Sequence, residues 1–130
     1  MAKFLLDLYQ IRPTQLYLDE GKIERLKAVF NPLNVRNNPP LPIRNNGGEF
    51  FFTDGHTRAY LYDQAGISLI PVYVDQDPIN EALYANCLNW CRKEQIMFIS
   101  DLAERIVPHR QFEELWIKRC LAEEERLEGK

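Results

Sequence analysis

The chain has 130 residues, 45% of them hydrophobic and 27% charged, with a formal net charge of −3. That length and balance fit one globular unit with a real core and exclude a disordered or fibrous chain. No apolar run approaches the roughly 18–20 residues a membrane helix requires, so no membrane partner is expected. Nor is there a bulk basic footprint of the kind that dedicated nucleic-acid binders show.

Charge is unevenly placed. Residues 1–75 hold eight Lys or Arg against eight Asp or Glu, and residues 76–130 hold eight against eleven. The Met1-Ala2-Lys3-Phe4-Leu5-Leu6 stretch is too short for a signal peptide and is stopped by Asp7. Three cysteines, an odd number without such a signal, point to reduced thiols and a cytoplasmic location.

In chain order, residues 4–12 read as one strand entry ended by Pro13. Ile23, Leu26, Val29 and Phe30 fall at helical spacing behind Asp19 and Glu20, and Asn31-Pro32 stops that helix. The Asn- and Pro-rich residues 31–40 form a loop. Leu41 to Arg44 predicts a short strand that Pro42 assigns to an edge, or to a position needing no N–H. Asn45-Asn46-Gly47-Gly48 predicts a hairpin turn, and Glu49 to Thr53 the return strand, whose Phe50, Phe51 and Phe52 supply rings to both faces. A helix follows from Gly55 to about Ala65, with Gly66 at its C′ position. Leu69 to Val74 is a further strand, which Pro71 again suggests is an edge.

Beyond Asp75 the pattern is helical. Asp77-Pro78 suggests a helix start, and Ile79, Leu83, Cys87, Trp90 and Cys91 form a stripe. Ser100 would cap a short helix to Ile106, and a last helix is expected over about 111–126, fraying beyond Ala122. Cys87 and Cys91, one turn apart among apolar residues, read as small buried side chains rather than metal ligands. The organisation expected is therefore an α+β unit over 1–75 and a helical extension over 76–130 packed on it.

Chemistry concentrates where the phenylalanine strand gives way to a helix, at Thr53-Asp54-Gly55-His56-Thr57-Arg58. Helix N-termini present unpaired N–H groups and a partial positive charge, which suits a phosphate. In this reading the N–H groups of Thr57 and Arg58 face the anion, Thr57 adds a hydroxyl, His56 adds a donor and Arg58 clamps two oxygens. Asp54 would repel a phosphate, so it either caps the helix or meets Mg²⁺ or a substrate proton.

Together with Ile11-Arg12-Pro13-Thr14, Leu41-Pro42-Ile43-Arg44 and Ile70-Pro71-Val72, the Asp-Gly-His-Thr-Arg run resembles the ParB/sulfiredoxin-like superfamily (the ParB N-terminal-like domain) over about residues 5–75. The resemblance implies a small mixed sheet with flanking helices and a nucleotide phosphate held at Gly55, His56, Thr57 and Arg58. It suggests ATP, ADP or CTP as ligand, with Mg²⁺ and phosphoryl transfer to a small hydroxyl acceptor in the kinase branch. Three departures bear on the chemistry. His56 stands where sulfiredoxins carry their reactive Cys, which argues against sulfinic-acid reduction. His56 and Thr57 replace the middle of the partition proteins' Gly-Glu-Arg-Arg run. Gln15 stands where the serine kinases carry a glutamate base, leaving Asp54 and the nearby Glu20 as catalytic candidates. The alternatives are a DNA-associated partition- or nuclease-type module and a non-catalytic regulatory protein. DNA reading by the helix after Pro108 is opposed by Glu113 and Glu114, directly behind His109, Arg110 and Gln111.

Overall fold

A computed structural model describes residues 2–129; Met1, at the head of the stretch considered above as a leader, lies outside them. Five strands form a mixed sheet: β1 (Phe4–Asp7), β2 (Ile11–Arg12), β4 (Leu41–Asn46), β5 (Glu49–Phe52) and β6 (Leu69–Val74), in spatial order β1-β6-β4-β5-β2. Helix α1 (Glu20–Val29) follows β3 (Leu18–Asp19), and α2 (His56–Gln64) links β5 to β6. Pairing is antiparallel for β1 with β6 and for β4 with β5, and parallel for β6 with β4 and for β2 with β5. The architecture is thus α+β, a mixed sheet flanked by helices. Among the described residues, no helix is long and apolar enough to cross a membrane.

Local chemistry explains most element ends. Asp19 caps α1 by accepting the Gly21 N–H at 2.9 Å. Gly47 and Gly48 have φ of 62° and 92°, so the hairpin turn sits where only residues tolerant of positive φ are comfortable. Gly66, at φ 75°, closes α2 as the sequence suggests.

Several expectations are corrected. Residues 4–12 are not one strand: Asp7 accepts the Tyr9 N–H at 2.9 Å and turns Leu8–Gln10 into a 3-10 helix between β1 and β2. Neither proline strand is an edge, since β6 and β4 are interior. Pro42 is tolerated because Thr53, opposite it just beyond the end of β5, has its carbonyl served by the Tyr84 hydroxyl, so no N–H is needed from Pro42. Pro71 precedes Val72, where pairing with β4 begins.

In the second half, α3 (Glu81–Lys93) starts at Asn80, whose side chain accepts the Leu83 N–H, and not at Asp77. Ile99–Glu104 is a 3-10 helix held by Asp101, which accepts from both the Met97 and Phe98 N–H groups at 2.9 Å. Ile106–Val107 is a strand, β7, parallel to β3, which sequence reading missed because two residues show no period. The last helical stretch comprises α4 (His109–Phe112), a π-helical turn (Glu113–Ile117) and α5 (Lys118–Glu128), with no break at Ala122.

One apolar cluster joins both halves of the chain. Leu8, Leu41, Ile43, Phe52, Tyr62, Ile70 and Val72 from the first half meet Cys87, Cys91, Ile99, Leu102 and Trp116 from the second. Alternation along β5 sends Phe52 toward His56 of α2 (ring centroids 5.5 Å apart) and Phe51 toward Tyr84 of α3 (5.8 Å). Trp116 packs edge-on against Trp90, and Arg119 lies 4.1 Å over the Trp90 ring.

Candidate functional site

The end of β5 delivers the chain to α2 through Thr53, Asp54 and Gly55. Asp54 is exposed, and its Oδ1 accepts the Gly55 N–H at 2.7 Å. Gly55 is the residue immediately before the helix, with φ 81° and ψ 20°. A Cβ there would lie 2.7 Å from Leu41 Cδ2, so the position excludes a side chain by space as well as by backbone conformation. No side chain caps the helix start. The first-turn N–H groups of α2 consequently lack the usual Ser, Thr, Asp or Asn acceptor.

Arg58 curls back over this point: its Nη2 is 3.9 Å from where a Gly55 Cβ would stand, and its Nη1 donates to the Pro39 carbonyl at 2.9 Å. Thr57 is buried, at 3% exposure. Lys22 of α1 is near enough for its charge to act on His56. Arg58 is the cationic side chain at this uncapped helix N-terminus.

His56 is arranged differently from the donor expected of it. Its ring is buried; Nε2 accepts the Thr14 N–H at 2.9 Å, while the Thr14 hydroxyl donates to the Phe52 carbonyl at 2.7 Å. An accepting Nε2 places the ring proton on Nδ1, which is itself buried without a partner. Burial pushes the His56 pKa down to about 4, with Asp54 acting upward and Lys22 downward. At neutral pH the imidazole is uncharged, and what His56 can offer an anion is its backbone N–H. Thr14, which locks this ring to the end of β5, entered the sequence reading only as the last residue of the Ile11-Arg12-Pro13-Thr14 run.

The structure does not gather every candidate. Glu20 is exposed and lines a cleft with Ile23, Lys27, Tyr60 and Gln64, away from the start of α2. The Gln15 side chain donates to the Tyr17 carbonyl at 2.9 Å. Near Asp54, the Thr53 hydroxyl donates to Asp75 Oδ2 at 3.0 Å, and the Tyr84 hydroxyl donates to the Thr53 carbonyl at 2.7 Å. The Tyr73 pKa is raised, by burial first and then by Asp75, Asp77 and Asp54, so these carboxylates share one end of the sheet. Among the described residues, no three His, Cys, Asp or Glu side chains converge as a metal cluster.

His109, which the DNA reading placed at a recognition helix, is instead paired through Nδ1 with Asp19 Oδ2 at 2.6 Å. The Asp19 partner raises the His109 pKa, through the hydrogen bond first and its charge second. The preceding segment is a 3-10 turn and a strand, not the first helix of a helix-turn-helix.

No family model matches the chain, and no curated protein matches it. Solved structures similar to it include sulfiredoxin from Arabidopsis thaliana, with 18% identity over 65% of this chain and 96% of that one, at a TM-score of 0.46. Protein Atu1540 from Agrobacterium tumefaciens is similar at 10% identity over 75% of this chain and 50% of its own length, also with a TM-score of 0.46.

Proposed function

We propose that the Asp54–Arg58 junction binds the phosphates of a nucleotide (ATP, ADP or CTP) and supports phosphoryl transfer to a small hydroxyl compound. The observation that carries this reading is the uncapped start of α2 at Gly55, a position that admits no Cβ, with Arg58 folded back over it. No side chain caps the helix start there, so its first-turn N–H groups keep their hydrogen bonds for an anion, and the helix dipole adds to the attraction. Arg58 supplies a planar fork for phosphate oxygens, at the cost of its Pro39 contact.

Asp54 is the carboxylate nearest this point in sequence, and one of its oxygens is already oriented by the Gly55 N–H. With a single carboxylate, Mg²⁺ would be held by Asp54, phosphate oxygens and water, the usual arrangement for that ion, and would neutralise charge on the phosphates. In the transfer step the acceptor oxygen bonds the terminal phosphorus and the bond from that phosphorus to its bridging oxygen breaks. Asp54 serves either that metal or, as base, the acceptor's proton. Glu20 faces another cleft, which favours Asp54 for that role.

A thermal-shift panel of ATP, ADP and CTP, each with and without Mg²⁺, tests binding, because a ligand of the native state raises Tm with its affinity. Calorimetry on Arg58→Ala should then show binding weakened by about tenfold or more, the value of a charged hydrogen-bonded contact. Unchanged affinity in that variant refutes the site. Salt-sensitive DNA binding that survives Arg58→Ala but is lost in Arg110→Ala would favour the DNA-associated reading instead.

A further inference from the structure

Strand β1 is one margin of the five-stranded sheet, paired with β6 and with no other strand. We propose that its open edge pairs with β1 of a second copy of this chain, antiparallel about a twofold axis at Leu5. The two sheets then run continuously across a homodimer. This edge contains none of residues 54–58 and does not depend on the phosphate reading above.

The ladder fixes which backbone groups the edge presents. Along an antiparallel strand, residues alternate between those bonded to the neighbour and those whose N–H and C=O face away. The Leu8 N–H donates to the Ser68 carbonyl at 2.7 Å, one step past the Asp7–Leu69 pair. Counting back by twos, Leu6 and Phe4 also turn their N–H and C=O groups to β6. Pro71, opposite Leu5, agrees with this phase because it has no N–H to give. The N–H and C=O of Leu5, and the N–H of Asp7, therefore point to the open side. Edge strands are usually blunted by a central lysine, a proline or a bulge, and Phe4-Leu5-Leu6 has none of these. The opposite margin, β2, is only Ile11–Arg12 and is too short to template a partner.

The sequence of the edge is self-complementary. With Leu5 opposite Leu5 of the second copy, Lys3 stands opposite Asp7, and Phe4 opposite Leu6. Leu5 is 57% exposed and Phe4 41%, so apolar surface is there to be covered. Lys3 Nζ donates to the Arg36 carbonyl at 3.1 Å and keeps further donors for a carboxylate. Lys3 and Arg36 line one apolar cleft of about 270 Å³ with Phe4, Leu5, Val35 and Pro71. Asp7 of the second copy arrives at that cationic end, and the twofold axis repeats the match at the other. In this register each Leu5 N–H donates to the other Leu5 carbonyl, and each Asp7 N–H to the other Lys3 carbonyl. Any slip in register separates the opposite charges. A pairing this short belongs with weak, transient interfaces.

Sedimentation equilibrium of the full chain, from micromolar to millimolar concentration, should show reversible dimerisation. Over the same range, NMR hydrogen exchange should slow at the Leu5 and Asp7 amides, while those of Phe4 and Leu6 stay as they are. Leu5→Pro removes the outward N–H without touching a bond to β6, and should weaken the dimer by about tenfold or more. Leu5→Lys keeps that N–H but sets like charges face to face, and should do the same. Thermal unfolding confirms that each variant is folded. Lys3→Glu and Asp7→Lys should each dimerise poorly alone, whereas an equal mixture should associate, because both pairs are then of opposite sign. A chain that is monomeric throughout, or exchange at Leu5 and Asp7 that ignores concentration, overturns the proposal. So does a dimer undiminished in folded Leu5→Pro or Leu5→Lys, or a mixture that associates no better than its components.

Discussion

Replacing His56 with Gln isolates one buried proton. In the native chain Nε2 must accept from the Thr14 N–H, and burial holds the pKa at about 4 against an ordinary 6.5. The folded value lies below the unfolded one, so between those two values the unfolded chain binds the proton and the native chain does not. The stability His56 contributes in its neutral form is complete above pH 6.5 and is lost as pH falls toward 4. Each pH unit between the two values is worth about 1.36 kcal/mol, so the loss from pH 7 to pH 5 is roughly 2 kcal/mol. Glutamine keeps an acceptor of similar reach for Thr14 but does not titrate. His56→Gln should be less stable than the native chain at pH 7 by about 1–2 kcal/mol for lost ring packing, mainly against Phe52. At pH 5 that gap should shrink by roughly 2 kcal/mol, closing or reversing. Urea unfolding of both proteins at the two pH values reads this directly, and subtracting one from the other removes every other titrating group. A gap that is the same at pH 7 and pH 5 would refute the account of His56 as a neutral, locked acceptor.

Gly55→Ala should destabilise the fold by about 1–3 kcal/mol, because φ 81° and the 2.7 Å approach to Leu41 Cδ2 act together; urea midpoints measure it, and a loss below a few tenths would mean that β4 yields easily. Tyr84→Phe leaves the Thr53 carbonyl without its 2.7 Å donor and should cost about 1 kcal/mol in the same assay. Asp19→Asn retains a cap for Gly21 while removing the charge opposite His109, so the His109 pKa followed by proton NMR should fall toward its ordinary value. The native His109 pKa is raised, so the pair's contribution is present below the unfolded value and lost as pH rises through the folded one. That is the opposite sense to His56, and Asp19→Asn should flatten it.

Much of the frame was legible from residue types. Asp19, the Gly47-Gly48 turn, the break at Gly55 and the stop at Gly66 act through their own backbones, so the sequence alone placed α1, the hairpin and α2. It also singled out residues 54–58, since a strand that ends in Asp-Gly before a helical pattern leaves an N-terminus to be filled. Tertiary structure decided the remainder. Pro42 and Pro71 sit on interior strands because a proline needs only a missing ladder bond, and that vacancy depends on where β5 and β4 happen to end. Ile106–Val107 became a strand because Leu18–Asp19 was there to pair with it. The same holds for chemistry. Residue type marked His56 as a donor to an anion, but packing against Phe52 and Thr14 made it a buried, neutral acceptor. Adjacency in sequence nominated Glu20, while the fold turned it toward another cleft and brought Lys22 near His56 instead. Short-range backbone rules are written in the sequence; the direction in which a side chain points across the fold is set by partners tens of residues away.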